Sequence, residues 1–148
     1  LNSFNIDHIT KIYNKSDTLN NYINKEIGTD IILSYKRASN ILEQELKNRE
    51  LEISDTTDPG LFKSEYEKNL YKKIYELKKY FNSINNDENY QLTLKNLAES
   101  KKVIFDFFDN VKVNDDDKKI QKNRLELLQM LCKTFDNYMT FSSIDNLQ

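Results

Sequence analysis

This chain predicts an all-α fold, a helical bundle of about six helices, and three observations carry that prediction. Gly and Pro number only 2 and 1 in 148 residues. The usual shares are ~7% and ~5%, so an all-β fold would lack its turn formers, and no glycine-rich phosphate loop can be built. Apolar residues recur at spacings of three and four along most of the chain, the period of a helix with one buried face. Charged residues make up 31% and hydrophobic ones 38%, the balance of a single domain long enough to bury a core.

Taken in order, residues 4–14 (Phe4, Ile6, Ile9, Ile12, Tyr13) and 17–27 (Leu19, Tyr22, Ile23, Ile27) carry two short amphipathic patterns. Cap-like Ser16 and Asp17 divide them and Gly28 closes the second, so two short helices are expected. Thr29 and Asp30 then open a longer helix in which Ile31, Tyr35, Ala38, Leu42 and Leu46 form one buried stripe. Lys36, Arg37 and Asn40 fall on its opposite side, at ~100° of rotation per residue.

Residues 50–60, ELEISDTTDPG, hold the only Pro and the second Gly and read as a linker. A helix resumes from Leu61, with Tyr66, Leu70, Ile74, Leu77 and Phe81 on its inner face and Lys68, Lys72 and Lys79 behind as a solvated surface. Tyr71 and Tyr75 flank that stripe, where half-buried packing is the ordinary role and base stacking the sharper one.

A polar loop at 82–90, a short helix at 91–99 and a dense apolar segment at 100–113, expected at the centre of the core, come next. The final helix spans about Asp115 to Phe141, with Ile120, Leu127, Leu128, Leu131, Phe135 and Tyr138 facing inward. One of Asn114 to Asp116 is expected to cap it, with the remaining acids opposing the positive end of its dipole.

The chemistry these residues allow is narrow. A net charge of -2 provides no overall basic field toward nucleic acid or membrane, so any RNA-binding surface must be local. The basic residues are 19 Lys and 3 Arg, which makes each arginine informative. Cys132 is the single cysteine and His8 the single histidine. Neither a disulfide nor a multi-cysteine zinc site can form within the chain, and a lone thiol suits a reducing cytoplasm.

No P-loop, GxSxG or HExxH pattern appears. NDDDKK lacks the alternate oxygen ligands, the sixth-position Gly and the twelfth-position Glu of a calcium loop. No run reaches the ~18 apolar residues of a membrane span. Leu1 stands where a start methionine would, and residues 1–9 read as the middle of a helical region, so the chain is expected to be the C-terminal piece of a longer protein.

Arg124 falls between Ile120, Leu127 and Leu131, on the face expected to be buried, whereas Lys118, Lys119 and Lys122 fall on the wet side and Asn123 at the border. A buried guanidinium needs a carboxylate. Asp106 and Asp109 precede the reversal at 112–115, and an ion pair of Arg124 with Asp109 is predicted.

SYKRASNIL (34–42), the Asp-Pro linker leading into Leu-Phe and an acidic-start helix, FFDNVKV (107–113) and KNRLELLQML (122–131) occur in that order. Together they resemble the C-terminal region of bacterial glycyl-tRNA synthetase β subunits, over nearly the whole chain. The resemblance implies an all-helical DALR-type anticodon-binding domain at 61–148, preceded or packed upon by the helical segment 1–49. It also implies that the stretch is a non-catalytic part of an aminoacyl-tRNA synthetase. The literal Asp-Ala-Leu-Arg sequence is absent and KNRLELL stands in the comparable place, which favours the glycyl over the arginyl branch.

Adenylation of glycine would belong to a separate α subunit, and ATP and Mg2+ to the whole ligase, with no cofactor in this stretch. The implied partners are tRNA of the glycine isoacceptors, the α subunit and the rest of the β subunit, without membrane or DNA. Anticodon loops splay their bases, exposing edges and stacking faces. Glycine anticodons share two cytosines, and the carboxamide of Asn40 can both donate and accept to such a base. Lys36, Arg37 and Asn40 are therefore the first candidates for RNA contact, with Lys118, Lys122 and Asn123 second. Two alternatives stand beside this reading: an arginyl-tRNA synthetase-like anticodon-binding domain, and a helical scaffold that docks on protein and binds no RNA.

Overall fold

The computed structural model describes residues 18–48, 52–83 and 90–146, and side chains within 26–47, 52–83 and 95–137. Four α-helices make up most of it: α1 (Thr18–Asn48), α2 (Glu65–Ser83), α3 (Tyr90–Asn110) and α4 (Lys118–Asn146), with a 3-10 turn at Pro59–Leu61. The expected helix at 4–14, His8 and the Ser16-Asp17 break lie outside the described residues, as do residues 84–89 of the polar loop and the Tyr138 side chain.

Two breaks expected in the helices are absent. Helix α1 runs through Gly28, which is buried. Glycine ends a helix by adopting a left-handed conformation, and no described residue has positive φ. Within a helix the glycine costs only ~0.5–1 kcal/mol relative to Ala, which the packing of neighbouring Ile27, Ile31 and Ile32 into the core offsets. Asp30 starts nothing; its carboxylate pairs with Lys101 at 2.5 Å and its carbonyl accepts from Ser34 Oγ at 2.8 Å. Helix α3 likewise joins the two segments expected at 91–99 and 100–113, because buried Ser100 turns its hydroxyl back onto the Leu97 carbonyl at 2.8 Å instead of interrupting the helix.

Helix α2 starts later than Leu61. Asp58 first caps the 3-10 turn by accepting from the Gly60 N–H at 2.9 Å, with Pro59 at its first position. Ser64 then caps α2 in a Ser-x-x-Glu box: its Oγ accepts from Glu67 N–H at 3.4 Å, and Glu67 Oε1 reaches back to Lys63 N–H at 3.1 Å. Leu70, Ile74 and Leu77 are buried as predicted, whereas Tyr66 is exposed and Glu67 takes the inner place. At the start of α4 the cap is Asp117, one residue beyond the expected range, accepting from Lys119 N–H at 2.9 Å.

Each of α1 and α2 packs against both α3 and α4, so the principal pairings close a ring in the order α1, α3, α2, α4. Two contacts seven residues apart on both helices, Asp30 with Lys101 and Arg37 with Phe108, show that α1 and α3 run in the same direction. Glu67 with Arg124 and Phe81 with Phe135 show the same for α2 and α4. Tyr35 with Asp136 and Glu45 with Gln121 set α1 against α4 in the opposite sense. One core spans all four helices, with Phe107 and Phe135 its largest buried side chains.

The centre of that core is α4 rather than the apolar segment 100–113, in which Phe105 is exposed. From Ile120 to Phe135 only Lys122 and Lys133 are exposed, the mark of a helix enclosed on nearly all sides. Residues 52–58, expected as a linker, complete the enclosure. Ser54 donates from N and Oγ to Glu126 Oε2 at 2.8 and 2.6 Å, and Asp55 pairs with Lys133 at 2.6 Å.

Tyr35 and Cys132 make this core sensitive to alkali. Burial pushes the Tyr35 hydroxyl well above its ordinary value, and its 2.6 Å bond to Asp136 adds to the rise. Burial, with the Asp136 charge, pushes the Cys132 thiol up to about 12. Both groups are held neutral in the fold and ionise more readily in the unfolded chain, so their contribution is complete below the unfolded values and declines as pH rises through the folded ones. Urea unfolding free energy should therefore hold steady through neutral pH and fall from about pH 9 to 12. The Cys132→Ala variant should show a shallower fall, and an equal slope in both proteins would refute the assignment.

Candidate nucleic-acid interface

The outer face of α1 is set by the burial of its other side. Tyr35, Ala38 and Leu42 sit in the core, and Lys36, Arg37 and Asn40 are exposed. The guanidinium of Arg37 lies over the ring of Phe108 on α3, 4.4 Å from its centroid, an attraction between cation and aromatic face that draws the side chain to the bundle. Its N–H donors meet no acceptor among the described residues. The parallel run of α1 and α3 produces this contact, for it places position 37 beside position 108.

Arg37 also stands at the rim of a cleft of ≈ 220 Å³. Ile41, Phe108, Val111 and Val113 give it an apolar floor, and Gln44, Glu45 and Asn114 complete a polar edge. Gln121 of α4 fixes that edge from below, its Nε2 donating to Glu45 Oε2 at 3.2 Å and to Asn114 Oδ1 at 2.7 Å. The cleft thus adjoins the first turn of α4, from which Lys118 and Lys122 project, exposed and one turn apart. From sequence, Phe108 was read only as core, Asn114 only as a helix cap, and Gln44 was not singled out. Gln44 was the legible one, two turns from Arg37 along the same face.

Asn123 does not belong to this surface. It is 2% exposed, its Oδ1 accepts from Thr57 Oγ1 and Asp58 N–H, both at 2.7 Å, and its Nδ2 donates to the Asp58 carbonyl at 2.9 Å. Every polar atom of the carboxamide clamps residues 57–58 onto α4, so none is left for RNA. Its border position on the helical wheel was right for a helix with one wet side, but here the 52–58 stretch covers the border. Removing it takes the acceptor from the Asp58 N–H and the donor from the Asp58 carbonyl and leaves Thr57 Oγ1 only the Asn123 backbone carbonyl at 2.8 Å, so Asn123→Ala should lower unfolding free energy by about 1–3 kcal/mol in urea titration, with no loss expected if the clamp were incidental.

The partner predicted for Arg124 also changes. Asp109 is exposed and makes no contact with it. Arg124 Nη2 instead meets Glu67 Oε1 of α2 at 3.1 Å, and Nη1 donates to the Lys112 carbonyl at 2.7 Å and to Asp115 Oδ2 at 3.3 Å. Arg124 therefore joins α2, α4 and the reversal between α3 and α4, which carries one wall of the cleft. Asp109 lies in the last turn of α3, whose outward side it faces; the inward carboxylate comes from a helix 57 residues earlier. The run of acids at 115–117 is likewise occupied: Asp115 Oδ1 accepts from Asp117 N–H at 2.9 Å, and Asp117 caps α4.

Tyr71 and Tyr75 pack edge to face at 4.9 Å, with Phe62 against Tyr71 at 5.4 Å. Tyr71 is half-buried and Tyr75 exposed. Among the described residues no three His, Cys, Asp or Glu side chains are grouped to hold a metal ion, and no helix is long and apolar enough to cross a membrane.

Fold and face together define an all-helical domain whose first helix carries exposed Lys36, Arg37 and Asn40, with Arg37 over the ring of Phe108. The family described as the DALR anticodon binding domain matches residues 31–148, and the chain belongs to it. Over 127 residues it is 38% identical to the glycine–tRNA ligase beta subunit of Rickettsia prowazekii (strain Madrid E), covering 86% of this chain and 18% of that protein. It is 36% identical over 127 residues to the beta subunit of Rickettsia typhi (strain ATCC VR-144 / Wilmington), with the same coverage. The beta subunit of Rickettsia bellii (strain OSU 85-389) is 36% identical over 137 residues, 93% of this chain and 19% of that protein. The chain thus spans under a fifth of the length of these relatives. No solved structure matches it.

Proposed function

We propose that this chain is the anticodon-binding domain of a glycine–tRNA ligase beta subunit, and that Lys36, Arg37 and Asn40 on α1, with Lys118 and Lys122 on α4, contact the anticodon arm of glycine tRNA. The observation that carries the assignment to this face is Arg37, held over Phe108 at the rim of a cleft with its donors unpaired among the described residues. A guanidinium so placed can bind phosphate or stack on an unpaired base. Lys36, Lys118 and Lys122 supply charge for the backbone, which positions the RNA, and Asn40 supplies a donor and an acceptor for a base edge.

In this reading the domain supports attachment of glycine to its tRNA without performing it. Adenylation is assigned to a separate α subunit, and ATP and Mg2+ to the whole ligase, a cytoplasmic assembly that acts on neither DNA nor membrane. Exposed Leu33 (55%) and Tyr75 (49%) favour a second reading, a scaffold that docks on protein.

Titration with glycine tRNA at two salt concentrations separates the two readings. Contact of four cations with single-stranded phosphates predicts a slope of about −2.8 in log affinity against log salt, about a 50-fold loss from 50 to 200 mM. A docking scaffold predicts no tRNA-dependent signal.

A further inference from the structure

We propose that the outward face of α2 is a docking surface for an acidic face of the rest of a β subunit, with Tyr75 as its anchor. This rests on the reading of the chain as a domain of that subunit, since over four-fifths of each relative's length lies outside the region matched. Lys68, Lys72, Tyr75 and Lys79 recur at spacings of four, three and four, so they form one stripe along α2, and all four are exposed. None of the three lysines has a hydrogen bond or ion pair among the described residues. Neighbouring Lys73, by contrast, is paired with Glu76 at 2.8 Å and Glu99 at 3.4 Å. Like charges one turn apart at positions 68 and 72 oppose the helix slightly, and no contact within the bundle offsets this.

The aromatic part of the surface is already built. Tyr75 packs edge to face with Tyr71 at 4.9 Å between centroids, Tyr71 with Phe62 at 5.4 Å, and Lys78 Nζ lies over the Tyr75 ring at 5.6 Å. A ring held on two sides loses little freedom on binding, which is what an interface anchor requires. The Tyr71 hydroxyl donates to that of Tyr75 at 3.4 Å, so the Tyr75 O–H remains to donate outward. The polar groups of the stripe are thus donors, and the surface that matches them is one of carboxylates and carbonyls.

RNA would also answer to lysines and tyrosines, and the arrangement of the helices decides between the two. Helices α1 and α2 are diagonal in the ring, each packing against both α3 and α4, so their outward faces point to opposite sides of the bundle. RNA held by Lys36, Arg37 and Asn40 leaves the α2 stripe on the far side, open to the protein that carries the domain. With Lys78 over the Tyr75 ring and Tyr71 packed against it, less of its plane is open to a stacked base. Interfaces between domains of one chain are commonly polar, as lysines beside a tyrosine are.

The test is lysine acetylation read site by site by mass spectrometry. It compares the isolated 148-residue chain, the whole β subunit that carries it, and that subunit with its α subunit, each with and without glycine tRNA. Lys68, Lys72 and Lys79 should react several-fold more slowly in the β subunit than in the isolated chain, whether or not tRNA is present. Tyr75→Ser in the β subunit should return them toward the isolated-chain rate, while the same change in the isolated chain leaves its melting temperature nearly unaltered. Equal rates in chain and subunit, slowing that needs tRNA, or slowing that needs the α subunit would each overturn the proposal. Lys36, Lys118 and Lys122 are read in the same digest: if tRNA leaves their rates unchanged, the anticodon reading fails while the α2 result stands.

Discussion

Arg124→Ala should lower the unfolding free energy by about 3–5 kcal/mol, the cost of leaving one partner of a buried ion pair uncompensated. The partner left behind is Glu67, fully buried at 0% exposure, and the substitution also removes the donor to the Lys112 carbonyl. For a domain of about 150 residues this is a drop in melting temperature of order 10 °C.

The three acceptors of Arg124 are not equivalent. Asp115 lies at 3.3 Å with its side chain 35% exposed, so Asp115→Ala should cost only about 0–1 kcal/mol through the ion pair, in the range of surface pairs. Because the destabilisation comes chiefly from the orphaned carboxylate, Arg124→Ala combined with Glu67→Gln should recover part of it. An unchanged melting temperature in the single variant, or a double variant no more stable than the single one, would contradict this role for Arg124 at the α2–α4 junction.

The second large effect falls on binding. Lys36→Ala with Arg37→Ala should weaken affinity for glycine tRNA by about 10- to 100-fold, since each removes charge-assisted contacts of ~1.5–3 kcal/mol that part-solvation diminishes. The salt slope should fall by about 1.4, the share of two single-strand phosphate contacts. The melting temperature should change little. Both residues are exposed, and among the described residues the double substitution removes from the bundle itself only the cation over Phe108, worth about 0.5–1 kcal/mol at such a site. The two variants thus divide the molecule: Arg124 maintains the fold, and Lys36 with Arg37 serves the ligand. Equal losses of stability and binding in both would mean that the faces had been misassigned.

How legible these roles were depended on whether they were local. The 3.6-residue period of α1 placed Tyr35, Ala38 and Leu42 inside and Lys36, Arg37 and Asn40 outside, as the structure has them, because a single face decides both. Gly28 misled because glycine in a packed helix and glycine at a helix end are the same residue, distinguished only by φ. The burial of Asn123 and Glu126 depends on residues 52–58 folding back over α4, a long-range event that no pattern on α4 announces. By contrast, Ser64-x-x-Glu67 ahead of an apolar run was a readable helix start, and it would have moved α2 to its observed beginning. What it could not reveal is that the same Glu67, once turned inward, meets Arg124. The cleft depends on the parallel register of α1 and α3, which only their packing sets.

If the α1 face and its adjoining cleft meet the anticodon loop, chemical probing of that loop reads the contact base by base. Dimethyl sulfate modifies the ring nitrogen of unpaired cytosine, so the two anticodon cytosines of glycine tRNA report their own exposure. Saturating amounts of the chain should protect at least one of them, and Lys36→Ala with Arg37→Ala at the same concentration should restore most of the reactivity. Cytosines that stay equally reactive with the chain at saturation, or protection that survives the double substitution intact, would contradict it.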